Sequence, residues 1–396
     1  MKTFDTAIIG GGASGLMAAA QLCRAGRSVL LLEGADRVGK KLLSTGAGRC
    51  NLSNASVDAG DYRGGERLPD WFFQKYTPER IEAEFRSLGL LVRRDHEGRI
   101  YPYSLRANTV LDLLRRHTQS AETVCSCEAV RVRKEGGVFF IDSADGRVFS
   151  AQKLILACGG AASAQLSSGK TGYSLAQSLG HRVTPLSPSL CAVEVPPREV
   201  RALAGIRCRA KVSLLSDEKE IAYESGEVQF TARALSGICV FNLSRFAKPA
   251  MVLSLDLMPE YSAAEIEALL PRGEEARNLF EGILHPRLAL EALKKCGISL
   301  SASDAENRAA RAVKDFRFEI TGLDSMKNAQ VTAGGVPISE IDLSSMESKV
   351  EKNLYLTGEI LDIDGICGGY NLHFAWSTAL CAAEAILGSL EGGVPA

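Results

Sequence analysis

Thr6-Ala-Ile-Ile-Gly-Gly-Gly-Ala-Ser-Gly15 joins an apolar run the length of one buried strand directly to the spacing Gly10-x-Gly12-x-x-Gly15. Leu16 to Ala25 then reads as a helix with no breaker, and Gly26 stops it. A second apolar run, Ser28 to Leu32, ends in Glu33. Each part has a physical task. Gly10 allows a tight turn, Gly12 lets the backbone approach a pyrophosphate, and Gly15 lets helix and strand pack closely. The amino end of the helix offers free N–H groups and a positive dipole to phosphate. Glu33, eighteen positions after Gly15, can accept hydrogen bonds from ribose hydroxyls. Strand, glycine turn, helix, second strand and terminal carboxylate together indicate a dinucleotide-binding unit.

The 396 residues allow two or three domains with a large core. A hydrophobic share of 46% and a charged share of 23% are those of a soluble globular protein. The formal charge of −1 provides no overall field for nucleic acid or an anionic membrane. Eleven cysteines occur without any Cys-x-x-Cys spacing, so neither a structural zinc site nor a redox disulfide is expected. The odd count, and a first strand within six residues of Met1, predict a cytoplasmic chain without a targeting segment. No apolar run is long enough to cross a bilayer.

Gly34 to Asn54 is rich in glycine, Ser, Thr and Asn and carries Arg37, Lys40, Lys41 and Arg49. Such a loop suits phosphate and ribityl oxygens, where the simpler alternative is a solvated surface loop. Thr77-Pro78 opens a helix, and Ser104 caps another that runs to His117. A period of two then marks a meander: Val124–Glu128, Val130–Arg133, Val138–Ile141 and Val148–Ala151. A separate buried strand follows at Lys153–Ala157, ending in Gly159-Gly160. Ser167 to Ser174 reads equally as a second phosphate loop or as a capped helix start. Residues 189–324 contain strands at Cys191–Val195, Arg207–Leu215, Glu220–Glu224, Gly226–Thr231 and Met251–Leu257, with helices at Ser262–Leu270, Pro286–Cys296 and Ser303–Lys314. This region carries no chemical motif and reads as an inserted substrate-side domain between 1–188 and 325–396. Buried strands return at Gln330–Val331 and Asn353–Leu356, and a glycine turn feeds a last helix, Phe374–Leu387. The fold class is thus α/β: a Rossmann-like parallel sheet with a β-meander and an inserted α+β middle domain.

Three further stretches carry more specific information: Gly39 to Asn54, with its Gly48-Arg-Cys-Asn51; Gly98-Arg-Ile-Tyr-Pro-Tyr-Ser104; and Tyr355 to Asn371, with its Gly368-Gly-Tyr-Asn371. With Leu156 to Gly160 and Ala333 to Ile341, they resemble the two-dinucleotide-binding-domain flavoproteins, and among these the bacterial YhiN/BaiN-like family. The resemblance covers essentially the whole chain. It implies an FAD site built from both ends of the sequence. Gly10, Gly12, Ala13, Ser14, Gly15 and Glu33 would hold the phosphates and ribose, with Lys41, Arg49, Cys50, Asn51 and Gly159 near the cofactor. Val130 would touch the adenine, and Gly358 and Glu359 the ribityl chain. Gly368, Gly369, Tyr370, Asn371 and Leu372 would bring a helix amino end to the flavin. Glu359 stands where the wider group often has Asp. Gly226 to Gly237 departs from the family form at Ala232 and Ala234, which bears on substrate choice.

Flavin chemistry is hydride transfer at N5, oriented and tuned by the protein. Tyr370 and His373 are the candidate proton donors, although a lone histidine at a helix start is more often a structural donor. Tyr101, Tyr103, Arg99 and Arg106 suit either an anionic-substrate pocket or a solvated turn. The expected activity is an FAD-dependent oxidoreductase that takes electrons from NADH or NADPH and reduces an unsaturated or carbonyl-type small molecule. The alternatives are an amine oxidase that passes electrons to oxygen, and an FAD-binding partner or RNA-modification protein. Nucleic acid and membrane are not expected partners, and the oligomeric state is not legible.

Overall fold

Thr3–Ile9 (β1) alternates into a fully buried strand because both faces of its sheet are covered. It pairs in parallel with Val29–Leu32 (β2) on one side and Val148–Leu156 (β6) on the other. The computed structural model describes residues 2–163, 165–166, 170–303 and 305–391. Glu122–Val124 (β3) extends the parallel sheet beyond β2, and Leu354–Leu356 (β7) extends it beyond β6. The order is β7-β6-β1-β2-β3, with the short strands Ile341–Asp342 and Glu347–Ser348 beyond β7. Ala129–Glu135 (β4) and Val138–Ser143 (β5) form the meander, paired antiparallel with each other and then with β6.

Three expectations change here. The run Val124–Glu128, expected in the meander, instead contributes only its first residue to β3, which pairs in parallel with β2. The runs Val148–Ala151 and Lys153–Ala157 are one strand, β6. Its first half pairs antiparallel with β5, and most of its length pairs in parallel with β1. No turn residue separates the halves, so one strand serves both meander and sheet. Gln330–Val331 does not join this sheet. Val331–Ala333 lies in a separate two-stranded ribbon, and only the Asn353–Leu356 run reaches the sheet, through β6.

Five helices matter for the site: Ala13–Arg24 (α1), Pro78–Ser87 (α2), Ala107–His117 (α3), Thr171–Ser178 (α4) and Tyr370–Glu391 (α5). Thr77 caps α2 by accepting the N–H of Arg80 at 3.2 Å, as its sequence predicts. The cap position of α3 is Arg106, and Ser104 accepts the Arg106 N–H from just outside. α5 is buried along most of its length and packs on α1. It begins four residues before the expected Phe374, so His373 falls within its first turn.

The chain divides into two compact units, one made of Met1–Ser187 with Gln330–Ala396 and the other of Pro188–Ala329. The second has its own seven-stranded sheet. Its core, including Phe230, Phe316, Phe318, Val212 and Leu253, is continuous with the buried faces of Pro286–Lys295 and Glu306–Lys314. The two expected strands at Glu220–Glu224 and Gly226–Thr231 are one strand, Lys219–Phe230. Gly226 sits in register with Ala210 inside it, without turning the chain. Cys50, Cys127, Cys191, Cys239 and Cys381 are buried thiols outside any disulfide. Among the described residues no helix is long and apolar enough to cross a membrane.

Candidate cofactor site

The carboxyl ends of β1, β2 and β6 open onto one cleft of about 1280 Å³, solvent at its mouth included. This is where an open α/β sheet binds its ligand. The structure places Gly10, Gly12, Ala13, Ser14, Glu33, Lys41, Gly159, Glu359, Asn371 and Leu372 on its walls, from both ends of the first unit.

α1 starts earlier than the expected Leu16. Gly12 is its cap residue and offers no side-chain cap to the first turn. A Cβ on Gly12 would meet no atom within 4 Å, so the backbone borders open space. The other two fingerprint glycines act within the fold. A Cβ on Gly15 would stand 1.9 Å from the Gly10 carbonyl oxygen, and one on Gly10, at φ +108°, would stand 2.3 Å from the Ala157 carbonyl oxygen. Gly15 therefore lies beneath the cleft and serves helix–strand packing. Gly159, at φ +69°, has open space where a side chain would be.

Glu33 ends β2 and is fixed before any ligand is considered. Its Oε2 accepts the Gly11 N–H at 2.8 Å and its Oε1 the Ala35 N–H at 2.7 Å. Each oxygen keeps lone-pair capacity for a hydroxyl donor. Glu359 is held similarly, by the Thr332 N–H at 2.9 Å and by the Lys41 ammonium at 2.7 Å. The Asn371 side chain closes the preceding loop on itself. Its Oδ1 accepts the Gly365 N–H at 2.8 Å, and its Nδ2 donates to the Gly365 carbonyl at 2.9 Å.

Other expected contacts lie elsewhere. Arg49 is exposed, with its guanidinium 5.1 Å from the centre of the Tyr101 ring and Nε donating to the Gly46 carbonyl. Cys50 is fully buried, and burial pushes its thiol up to about 12. Asn51 is buried off the cleft wall, its Oδ1 2.7 Å from where a Gly369 Cβ would stand. Gly358, Gly368 and Gly369 all have positive φ and answer to the chain itself. A Cβ on Gly369 would strike the Ser53 carbonyl oxygen at 2.4 Å, one on Gly358 would meet Ser14 Oγ at 2.9 Å, and one on Gly368 would meet the Tyr370 ring at 3.3 Å. Val130 is the extra residue of a bulge in β4 and is 51% exposed, while its neighbours Glu128 and Ala129 line the cleft.

The two proton-donor candidates are corrected by the structure. His373 is wholly buried between Ser53 and Tyr76, and burial lowers its pKa to about 4. Tyr370 packs edge-on against Tyr62, lies off the cleft wall, and is pushed up to about 12 by burial. Both are parts of the core. Of the Ser167–Ser174 loop, residues 167–169 lie outside the described residues, and Thr171 begins α4. There its hydroxyl donates to Glu128 at 2.9 Å, and both residues line the cleft. Thr171 lies in the stretch that sequence offered as a phosphate loop or helix start, whereas sequence reasoning missed Glu128, Cys158 and Gly160 as site residues. For the last two, the signal was a buried strand ending in glycines, placed by its apolar run beside the fingerprint strand.

FAD fits these residues. The glycine-bordered space, the uncapped first turn of α1 and the fixed Glu33 match a phosphate followed by an adenosine ribose. Residues 4–385 match the family described as HI0933-like protein Rossmann domain. The chain belongs to this family. HI0933-like relatives include the 3-dehydro-bile acid delta(4,6)-reductase of Clostridium scindens, 37% identical over 96% of this chain and 98% of that protein. The ribosomal RNA dihydrouridine synthase of Escherichia coli is 28% identical over 98% and 99% of the two chains. Among solved structures, a 3-ketosteroid-delta4-(5alpha)-dehydrogenase from Rhodococcus jostii RHA1 shares the fold. Its TM-score is 0.50 at 12% identity, over 97% of this chain and 96% of that one. As an HI0933-like protein with this cleft, the chain is an FAD-dependent oxidoreductase.

Proposed function

We propose that the protein is an NAD(P)H-linked, FAD-dependent reductase that saturates a carbon–carbon double bond conjugated to a carbonyl in a small molecule. The observation that carries this reading is one cleft bordered by the uncapped start of α1, by Glu33 and by the first turn of α5. The 37% identical relative, named for reduction at delta(4,6) of a 3-dehydro bile acid, supports the bond type. When bound, FAD supplies hydride acceptance and donation at N5. The chain's residues divide the remaining work. The N–H groups at the start of α1, at Ala13 and Ser14 on the cleft wall, would donate to phosphate, and Gly12 leaves room for it. Glu33 would accept from the ribose, and Glu359 with Lys41 would stand beside the ribityl chain. Asn371 shapes the turn that presents the N–H groups of α5 to the cleft, where they favour negative charge. The reaction belongs in the cytoplasm, the reducing compartment that suits an odd number of cysteines with no Cys-x-x-Cys spacing.

A second reading places the reducible bond in a uracil ring of RNA, the substrate type in the names of the 28% and 27% identical relatives. One surface feature favours it. Tyr103 is 59% exposed, and the Arg93 guanidinium lies 4.1 Å from its ring centre, a pairing that can stack an unpaired base. The net charge of −1 argues for the small molecule.

The test is anaerobic stopped-flow on the flavin-loaded protein. NADH or NADPH should bleach the flavin, and a conjugated enone should restore its colour. Reoxidation by oxygen after reduction with amines alone would instead indicate an oxidase. Reoxidation by uridine-containing RNA and not by enones would favour the second reading.

A further inference from the structure

Lys41 projects from the short helix Lys40–Ser44, and its Nζ meets Glu359 Oε2 at 2.7 Å across 318 positions of sequence. The two side chains are 25% and 18% exposed, and both line the cofactor cleft. Glu359 does not depend on the lysine for its position. Its Oε1 accepts the Thr332 N–H at 2.9 Å, and the carboxylate packs over Gly160, where a Cβ would stand 2.4 Å from Oε1. Thr332 Oγ1 in turn accepts the Ala162 N–H at 2.8 Å. Backbone contacts thus pin this carboxylate at the cleft wall.

The other charged residues on the described wall are Glu33, Lys40 and Glu128. Lys40 is paired with Asp36 at 2.6 Å, which leaves Lys41 as the cation that faces Glu359. A dinucleotide adds two phosphate charges to the same cleft. An unpaired Glu359 there would repel them, with limited screening because its side chain is only 18% exposed.

We infer that Lys41 retains FAD chiefly by neutralising Glu359, so that the two residues act as one uncharged pair in the cofactor cleft. Lys41 is in this sense a positioning residue that acts through Glu359. The inference rests on the FAD reading, and the experiment separates the two. Full-length protein is stripped of flavin and titrated with FAD by calorimetry, as wild type, Lys41→Met, Glu359→Gln, the double variant and Lys41→Arg.

Lys41→Met should weaken binding by about 30-fold or more, because it leaves a pinned carboxylate bare. Glu359→Gln should cost less than about 5-fold, since a neutral amide still occupies the place. The double variant should bind within about 3-fold of Glu359→Gln, the non-additivity of a coupled pair. Lys41→Arg should stay near wild type, because it keeps the charge. If Lys41→Met fails to fold while the double variant folds and binds, the same neutralisation is seen in the fold itself. A double variant as weak as Lys41→Met would overturn the inference, because Lys41 would then act on the cofactor directly. A stripped wild type that takes up no FAD would instead remove the cofactor reading beneath it.

Discussion

The Ser53 hydroxyl lies 2.8 Å from Nδ1 of His373, 320 positions later in the chain. The other ring nitrogen is 2.9 Å from the Tyr76 carbonyl oxygen, which can only accept. Nε2 therefore carries the proton, Nδ1 accepts from Ser53, and the neutral ring has no capacity left for a substrate. This histidine ties the first and last segments of the cofactor unit together.

Its burial makes stability depend on pH. Because the pKa falls from 6.5 to about 4 on folding, the unfolded chain binds the proton first as the solution is acidified. The contribution is fully present above pH 6.5 and is lost as pH falls towards 4. Its size is on the order of 3 kcal/mol. Urea titrations between pH 7 and pH 4 should show a shallower loss of stability in His373→Gln than in the parent. Equal slopes would mean that the ring is not buried neutral.

The fingerprint glycines should separate into two classes. Gly12→Val places a side chain in open cleft space, so FAD affinity should fall by at least about 10-fold while the flavin-free protein melts near the parent temperature. Gly15→Ala forces a Cβ onto the Gly10 carbonyl and should destabilise the fold by about 1–3 kcal/mol or more. Thermal melts of flavin-free protein, with FAD titrations alongside, distinguish the classes. A Gly12→Val protein that retains FAD would show that the phosphates lie elsewhere.

Glu33→Ala should weaken FAD retention by about 1–3 kcal/mol, the range for a polar group left without its partner. Glu33→Gln should do less harm, because it keeps one acceptor for the Gly11 or Ala35 N–H. Flavin absorbance after exhaustive dialysis is the measurement. Unchanged occupancy in Glu33→Ala would take this carboxylate off the ribose. Heating should release FAD and no FMN, since Glu33 needs an adenosine ribose.

Residues 1–187 expressed alone should not hold FAD, although they contain the whole fingerprint. Glu359, Asn371 and Leu372 line the cleft from the other end of the chain, and β7 covers the exposed edge of β6. Joining residues 330–396 through a flexible linker should restore part of the binding. Flavin fluorescence on both proteins decides, and tight binding by 1–187 would refute a site built from two segments.

The dinucleotide unit was legible in the first thirty-three residues because local physics specifies it. A strand, a glycine turn and a helix amino end need no distant partner to be recognised, and in the structure β1, α1 and β2 form as that pattern requires. The α/β class was legible for the same reason, from short apolar strands alternating with helices, but the border of the meander was not: β3 belongs to the parallel sheet, and β6 serves both. Tertiary structure decided what each remaining residue does. Arg49, Cys50 and Asn51 sit in one specific motif, yet Arg49 turns to Tyr101 and the other two are buried away from the cleft wall. Gly368 and Gly369 look like a cofactor cradle in sequence, but they are glycines because the Ser53 backbone and the Tyr370 ring crowd them. Helix position and residue type can be read locally, and they left His373 open as a proton donor or as the more usual structural donor. Its two hydrogen-bond partners, 297 and 320 positions away, cannot be read that way. Period and turn chemistry act over a few residues and are written in the sequence. Which polar atoms face each other depends on contacts that exist only once distant segments have packed.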